Sequence, residues 1–313
     1  MKPIYEPRGA AKEYGDLAIN IYTGCPHRCY YCFAPNVLHR EKDRFHSCVS
    51  PRENIVEEVR KQIEREGITG KLIHLCFTCD PYPTGYDTTP TREIIKAIKE
   101  SGNHVQILTK GDGSRDLDLL DENDWYGVTI SCGDKLAEEN EPGAVSPSRR
   151  IATLIMAKES GIKTWVSFEP VTDAVAVLKT IKFLYSTETE DIRKQVSVDK
   201  IKIGKLNYHH SNIDWDWFGR HAEILCKDLG ANYYIKESLR KEMAKIVVVY
   251  NVDFLTHVPV RHIVTYHNYT CEEDFWNWYY KDYAPLDGDK IAVFDTQAEA
   301  NEFAEKLGRG EAE

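Results

Sequence analysis

The sequence predicts an α/β fold in which helices cover a parallel sheet, either open or closed into a barrel. Short apolar runs alternate with segments of helical character from Leu17 to Leu229 and make up roughly six strand–helix units. Cysteines and polar residues gather in the loops after the apolar runs, where parallel folds place their chemistry. The 313-residue chain is 42% hydrophobic, which is enough to bury a sizeable core.

Strands and helices follow one another in order along this region. We predict strands at Leu17–Tyr22, Leu72–Phe77, Val105–Leu108, Tyr126–Ser131, Thr164–Phe168 and Val198–Ile203. We predict helices at Pro51–Glu66, Thr91–Glu100, Ser114–Leu120, Ser148–Ser160, Ala174–Tyr185 and Trp215–Leu229. Ser50 is expected to cap the first helix, because Pro51 and Glu53 follow it at the positions of a capping box.

The pattern changes after residue 240. We predict strands within Ile246–Leu255, His262–Tyr266 and Ile291–Phe294, and a helix at Gln297–Leu307. We therefore divide the chain into an α/β domain over residues 1–240 and a small α+β appendage over residues 241–313. Large aromatic side chains in and before the appendage could stack on nucleobases or pack a core; they are Trp215, Trp217, Trp276, Trp278, Tyr279 and Tyr280.

Composition limits the possible classes of protein. No apolar run reaches 18 residues and the N-terminus has no signal-peptide core, so we expect a cytoplasmic protein without a membrane span. In a reducing cytosol, clustered cysteines favour metal ligands or reactive groups over disulfides. The net charge of −10 disfavours broad non-specific binding of nucleic acid, although a local basic stripe remains compatible with it.

A cysteine triplet follows the first predicted strand. Its sequence, CPHRCYYC, places Cys25, Cys29 and Cys32 at CxxxCxxC spacing. Three thiolates on one loop can hold three irons of a [4Fe–4S] cluster and leave the fourth open to a small chelator. A zinc site completed by His27 is the alternative, but four ligands within eight residues would be crowded, and zinc motifs usually pair two ligands with a distant second pair.

This spacing and three further blocks resemble radical S-adenosylmethionine (SAM) enzymes, and among them the spore photoproduct lyase-like group. The blocks are NIYTGCPHRCYYCFAP, CFTCDPYPTGYDTTPTREIIKAI, VQILTKG, and GVTISCGD followed by ENEPGAVSPSRRIATLIMAKESGIKTWVSFEPV. The resemblance covers roughly residues 17–185 and implies a partial (β/α)₆ barrel. It implies two cofactors, a [4Fe–4S] cluster on the three cysteines and SAM, together with a one-electron reductant of the flavodoxin or ferredoxin type.

The resemblance also implies positions around SAM. Tyr31 would lie beside the adenine, Cys79 and Asp80 near the amino group, Lys110 near the carboxylate and Ser131 near the ribose. These assignments suit the chemistry, because an ammonium pairs with a carboxylate and a hydroxyl bonds a diol. Each has a structural alternative: Asp80 starting a turn, Lys110 as a solvated strand end, or Ser131 capping a helix.

Three further residues complete the candidate cofactor site. Arg149 or Arg150 could supply a second contact to the SAM carboxylate. Glu169 could make a polar contact at the mouth of the site or simply occupy a turn before Pro170. Gly204 marks the end of the sixth predicted strand.

The sequence departs from the group's pattern where a hydrogen-atom donor would be expected. Phe33 follows the last cysteine of the triplet where many relatives carry tyrosine, and a phenyl ring cannot donate a hydrogen atom. Cys76, Cys79 and Cys132 are the candidate catalytic donors, with a role as small buried hydrophobes as the alternative for each.

Two substrate classes are consistent with a radical SAM enzyme. Nucleic acid is favoured by analogy with the group, and a peptide or small molecule suits the acidic charge equally well. A cluster-bearing binding protein without turnover is a third interpretation, which the intact SAM-site blocks disfavour.

Overall fold

The computed structural model describes residues 2–185, 197–243, 248–252, 261–265 and 292–294, with residues 298, 299, 302 and 303. The chain divides into two compact units. The first comprises Met1–Ile213 and Ile224–Lys236, and the second comprises Asp214–Glu223 and Glu237–Glu313. No helix among the described residues combines the length and apolar character needed to cross a membrane.

An open eight-stranded sheet forms the first unit. Its strands are β1 (Ile4–Tyr5), β2 (Leu17–Ile19), β3 (Leu72–Leu75), β4 (His104–Thr109), β5 (Trp125–Thr129), β6 (Lys163–Phe168), β7 (Lys200–Ile203) and β8 (Tyr233–Ile235). They lie side by side in chain order; β1 is antiparallel to β2, and all other neighbours are parallel. The predicted α/β class with a partial barrel is confirmed.

The core follows the register of the strands. Ile19, Leu75, Ile107 and Tyr126 are consecutive partners across β2, β3, β4 and β5, and none is exposed to solvent. Burying such a row of apolar side chains is the main force that specifies strand register, because a slip of one residue would turn every side chain to the other face.

Nine α-helices are described, and the longer ones connect the strands. They are α1 (Ala34–Val37), α2 (Lys42–Ser47), α3 (Ile55–Glu66), α4 (Thr89–Glu100), α5 (Asp134–Asn140), α6 (Pro147–Glu159), α7 (Ala174–Tyr185), α8 (Trp215–Asp228) and α9 (Glu237–Met243). Short 3₁₀ segments occur at Gly9–Glu13 and Ser114–Leu119. Helix α3 buries Ile55, Val59 and Ile63 at helical spacing, as predicted.

The predicted cap of α3 is wrong. The helix begins at Ile55 after Asn54, whose φ of 49° is left-handed, and Ser50 lies outside it. Ser50 is held elsewhere, because its carbonyl accepts the Thr23 amide at 2.8 Å and its hydroxyl lies 3.1 Å from the Thr23 hydroxyl. Contact with Thr23, in the loop after β2, therefore overrides the local capping pattern.

The second unit contains a three-stranded antiparallel sheet. Its strands are β9 (Val248–Val252), β10 (Arg261–Thr265) and β11 (Ala292–Phe294), with β10 in the centre. These overlap the three strands predicted for the appendage. Most of the predicted helix Gln297–Leu307 and the aromatic residues at 275–280 lie outside the described residues.

Candidate functional site

One cavity of about 1110 Å³ lies in the first unit, at the carboxyl ends of the parallel strands. Its lining includes residues that follow β2, β3, β4, β6, β7 and β8. Eight sequence-predicted site residues line it, namely Cys25, Cys29, Tyr31, Cys32, Cys79, Asp80, Lys110 and Glu169. Five others do not, namely Cys76, Ser131, Cys132, Arg149 and Gly204.

The cysteine loop is fixed on both sides by backbone contacts. The Cys25 amide donates to the Phe45 carbonyl at 3.3 Å, and the Gly143 amide donates to the His27 carbonyl at 3.0 Å. Glycine is needed at two positions where backbone segments approach each other closely. A Cβ on Gly24 would lie 2.2 Å from the Phe45 carbonyl oxygen, and a Cβ on Gly143 would lie 2.2 Å from the Pro26 carbonyl oxygen. The loop conformation is thus specified by its neighbours.

The three cysteines of this loop are free thiols. Burial raises the pKa of Cys25 well above its usual value and that of Cys29 to about 12; the Lys110 ammonium opposes the shift at Cys29. Without metal the thiols are therefore protonated, and a bound metal would displace the protons. Three thiols on one fixed loop, all facing one cavity, fit the ligand set of a [4Fe–4S] cluster with an open iron.

His27 is engaged away from these thiols. Its side chain is buried, with Nδ1 3.5 Å from Asp80 Oδ2 and Nε2 3.2 Å from the Thr84 hydroxyl. Burial lowers the pKa of His27, which favours the neutral ring. The zinc alternative needs His27 as fourth ligand, and these contacts disfavour it.

Asp80 joins the loop after β3 to the end of β4. Its Oδ1 accepts the Tyr82 amide at 2.8 Å and the Thr109 hydroxyl at 2.5 Å, and its Oδ2 accepts the Lys110 amide at 2.8 Å. The turn contact is the structural alternative considered for this residue. Asp80 also lines the cavity, so the same carboxylate can meet a ligand there.

Lys110 places an ammonium against the cysteine loop. Its Nζ lies 5.2 Å from the centre of the Tyr31 ring, a cation–π geometry. Among the described residues, no carboxylate forms an ion pair with it. The cavity therefore contains a half-buried positive charge that an anionic group of a ligand could meet.

A buried network behind Tyr31 was not predicted from the sequence. Glu141 Oε1 accepts bonds from the Tyr31 hydroxyl and, at 2.6 Å, from the Ser131 hydroxyl, and its Oε2 pairs with Arg150. Burial opposes ionisation of Glu141, but the charges of Lys110 and Arg150 outweigh it and lower the pKa to about 2. Ser131, expected beside a ribose, thus has its hydroxyl committed to this carboxylate.

Two neighbouring arginines have opposite environments. The Arg150 side chain is fully buried, and the Arg149 side chain is 70% exposed and 3.5 Å from Asp112. Since the residues are adjacent on α6, a helix turn of 3.6 residues necessarily points them in different directions. A proline-containing acidic turn such as ENEPG gives no signal that Glu141 would be the buried partner.

The three candidate hydrogen-atom donors differ in position. Cys79 lines the cavity and its Sγ accepts the Tyr22 amide at 3.4 Å. Burial opposes ionisation of Cys79, but hydrogen bonds from Cys76 and from backbone amides together lower its pKa. Cys76 and Cys132 are buried away from the lining, and Cys132 Sγ lies 3.5 Å from the Ser131 hydroxyl.

Glu169 lies on the cavity wall at the end of β6. It forms an ion pair with Lys236, and the Tyr14 hydroxyl donates to it. Gly204 packs directly against Glu169. A Cβ at position 204 would lie 2.9 Å from the Glu169 carboxyl carbon, so glycine leaves room for this carboxylate. The sequence analysis missed Tyr14 and Lys236, whose short flanking elements carry no periodic pattern.

A second group of potential metal ligands lies at the start of β4, outside the cavity. His104, Asp121 and Asp124 place ligand atoms within 4.8 Å of one another. The Lys99 ammonium pairs with both carboxylates, and Asp124 Oδ1 accepts the Val105 amide at 2.8 Å. These contacts explain the cluster as a link between helix α4 and the strand.

The sequence matches known proteins over the region that carries the cysteine loop. The family model described as the radical SAM superfamily matches residues 19–179. An uncharacterised protein of Acidianus two-tailed virus is 29% identical over 230 residues, covering 67% of this chain and 74% of the viral protein. An uncharacterised protein of Mycobacterium tuberculosis is 30% identical over 180 residues, covering 53% of this chain and 52% of its own, so this chain spans about half of that relative.

Solved structures share the fold. A spore photoproduct lyase variant superposes with a TM-score of 0.55 at 13% identity, covering 74% of this chain and 79% of its own. Spore photoproduct lyase complexed with dinucleoside spore photoproduct gives 0.53 at 14% identity, with 74% and 78% covered. SuiB of Streptococcus suis bound to S-adenosylmethionine gives 0.51 at 14%, with 74% and 49% covered. The family match spans half of the chain, and the chain therefore belongs to the radical SAM superfamily, whose cofactors are a [4Fe–4S] cluster and SAM.

Proposed function

We propose that the chain is a radical SAM enzyme that holds its cluster on Cys25, Cys29 and Cys32 and acts on nucleic acid. The observation that carries the proposal is the shared cavity: the three thiols line it together with Asp80 and Lys110, which offer a carboxylate and an unpaired ammonium. The amino acid end of SAM carries an ammonium, which a carboxylate can pair with, and a carboxylate, which an ammonium can pair with.

The chain's own residues bind and orient SAM. When bound, the cluster and SAM supply one-electron cleavage of the SAM carbon–sulfur bond, which gives a 5′-deoxyadenosyl radical. Lys110 neutralises the carboxylate of SAM, and Asp80 with Cys79 faces its ammonium. Tyr31 offers a ring face to the adenine, and Glu141 fixes that ring through its hydroxyl.

The electrostatics of the cavity support an anionic substrate. Seven lysines and arginines line it against four carboxylates, a net charge of three positive units on a chain whose total is −10. Two exposed aromatic rings, Phe33 and Tyr208, also belong to the lining, with 47% and 94% of their surfaces exposed. Cations for phosphates and ring faces for bases are the elements of single-strand binding.

Two further roles belong to this proposal. Cys79 is the preferred hydrogen-atom donor of the three thiols considered, since it lines the cavity where a substrate radical would form. A flavodoxin- or ferredoxin-like protein is the proposed electron source.

Anaerobic reconstitution tests the cofactor roles. The protein should bind about four irons and four sulfides per chain. Replacement of Cys25, Cys29 or Cys32 by alanine should abolish the cluster absorbance, and Cys48→Ala, at an exposed cysteine, should not. A stable zinc complex without iron–sulfur absorbance would refute the assignment.

SAM cleavage tests the rest. With dithionite the reduced protein should convert SAM slowly to 5′-deoxyadenosine. Lys110→Ala should weaken SAM binding and keep the iron content, whereas Lys61→Ala, 57% exposed on α3, should change neither. If Lys110→Ala loses iron as far as it loses SAM affinity, its role is structural.

A further inference from the structure

A charged group on the cavity wall includes Glu169, a candidate cofactor-site residue to which the proposed binding of SAM gives no role. Glu169, at the end of β6, and Lys236, directly after β8, form an ion pair with 2.5 Å between Nζ and Oε2. The Tyr14 hydroxyl donates to the same oxygen at 2.6 Å. All three residues line the cavity that the cluster cysteines line.

This pair is buried at a cost that stability alone does not explain. The side chains of Lys236 and Glu169 are only 4% and 16% exposed. Buried ion pairs gain little over apolar side chains of the same volume, because both charges lose their hydration. Glycine at position 204 also leaves room for the Glu169 carboxylate, because a Cβ there would lie 3.0 Å from Glu169 Oε1.

A second buried lysine strengthens the argument. Lys202 on β7 lies with its Nζ 4.4 Å from the centre of the Tyr14 ring, and Lys236 Nζ lies 4.5 Å from it. Two ammonium groups at one ring repel each other, so their placement favours a functional over a structural explanation.

The pair brings a carboxylate acceptor and an ammonium donor together on the cavity wall. Both contacts of the Glu169 carboxylate fall on Oε2; within the described ranges, Oε1 accepts no hydrogen bond. The Lys236 ammonium has three N–H groups; its Nζ meets Glu169 Oε2 at 2.5 Å and lies 3.5 Å from Glu13 Oε2 and 4.5 Å from the centre of the Tyr14 ring. The complement of an acceptor beside a donor is a group that carries a donor beside an acceptor, such as an N–H beside a C=O.

We propose that Glu169 and Lys236 bind the hydrogen-bonding edge of an unpaired nucleobase, with Glu169 accepting the base N–H and Lys236 donating to the adjacent carbonyl. This rests on the proposed action on nucleic acid. Thymine, uracil and guanine carry an N–H beside a C=O, whereas adenine and cytosine offer an amino N–H beside a ring nitrogen. A peptide amide offers a similar edge, but the excess of cations on the cavity wall favours a polyanion.

The test measures binding of labelled single-stranded oligonucleotides to the cluster-loaded protein at fixed salt. Oligothymidylate should bind on the order of tenfold more tightly than the same oligonucleotide built from N3-methylthymine, which lacks the N–H. Lys236→Met and Glu169→Gln should reduce this preference to near unity. Lys61→Met, a change of the exposed lysine on α3, should leave the preference intact.

The comparison of the two oligonucleotides on the native protein can overturn the site without any variant, so a folding defect in a variant does not obscure that outcome. Equal affinity for the two oligonucleotides would overturn the base-edge site and leave nucleic acid as substrate. No binding of any oligonucleotide at low salt, with a peptide bound instead, would overturn both. SAM cleavage by the reduced protein is measured separately and reports on the radical SAM function.

Discussion

Replacing Glu141 by glutamine should destabilise the first unit markedly. The carboxylate is fully buried and bonded to Tyr31, Ser131 and Arg150. Glutamine keeps the shape but removes the charge, which leaves the buried Arg150 guanidinium without a counter-ion. The perturbation therefore isolates the electrostatic part of the network.

The magnitude follows from the pKa of Glu141. Its pKa falls from an ordinary 4.5 to about 2, since the charges of Lys110 and Arg150 outweigh the opposing effect of burial. At about 1.36 kcal/mol per unit, this difference corresponds to about 3 kcal/mol of stability. Loss of one partner of a buried ion pair, roughly 3–5 kcal/mol, gives the same order.

Urea unfolding of wild type and Glu141→Gln across pH is the assay. A lowered folded-state pKa stabilises the fold above the unfolded pKa, and this contribution declines as the pH falls from 4.5 toward about 2. The gap in unfolding free energy should thus be full at neutral pH and narrow below pH 4.5. Glu100→Gln, at an exposed pair with Arg60, should cost less than about 1 kcal/mol. Equal midpoints for wild type and Glu141→Gln at neutral pH would refute the reasoning.

Two other substitutions test the site. Gly24→Ala would place a Cβ 2.2 Å from the Phe45 carbonyl oxygen, so iron content after reconstitution should fall, whereas Gly133→Ala, whose nearest neighbour is 3.7 Å away, should retain iron. Burial and two nearby lysines lower the pKa of Lys202 from 10.5 to about 8. The charged lysine therefore lowers the free energy of unfolding, fully below pH 8 and less as the pH rises above 8. Lys202→Met should therefore raise the unfolding free energy at neutral pH by up to about 3 kcal/mol, and an unchanged urea midpoint, compared with Lys61→Met, would contradict this.

The sequence predicted the strand–helix order well because the long elements are periodic. Helix α7 begins and ends where predicted, at Ala174 and Tyr185, and the six predicted strands all appear with ends shifted by a few residues. Strands β1 and β8 and helices α1, α2, α5 and α9 were missed. These segments have two to seven residues, too few for a period to show.

The site was predictable as far as topology determines it. Loops after parallel strands meet at one edge of a sheet, so the cysteine loop, Asp80, Lys110 and Glu169 were expected together and do line one cavity. Their partners were not predictable, because they are distant in the chain: Tyr31 and Glu141 are 110 residues apart, and Glu169 and Lys236 are 67. Such pairings depend on packing, which a single sequence does not encode locally.

The adjacent arginines of α6, Arg149 and Arg150, also have partners that the sequence does not reveal, and alanine substitutions test their different environments. Arg150→Ala should cost roughly 3–5 kcal/mol, because it leaves Glu141 buried without its cation and also removes donors to the Val145 and Thr129 carbonyls, now at 2.6 and 2.8 Å. Arg149→Ala should cost less than about 1 kcal/mol, since its side chain is 70% exposed. SAM affinity, measured by equilibrium dialysis on the cluster-loaded protein, separates the remaining possibilities. Because the Arg149 side chain is exposed, Arg149→Ala should leave SAM affinity unchanged. A weakened affinity at unchanged stability would show instead that this arginine reaches SAM when the ligand is bound.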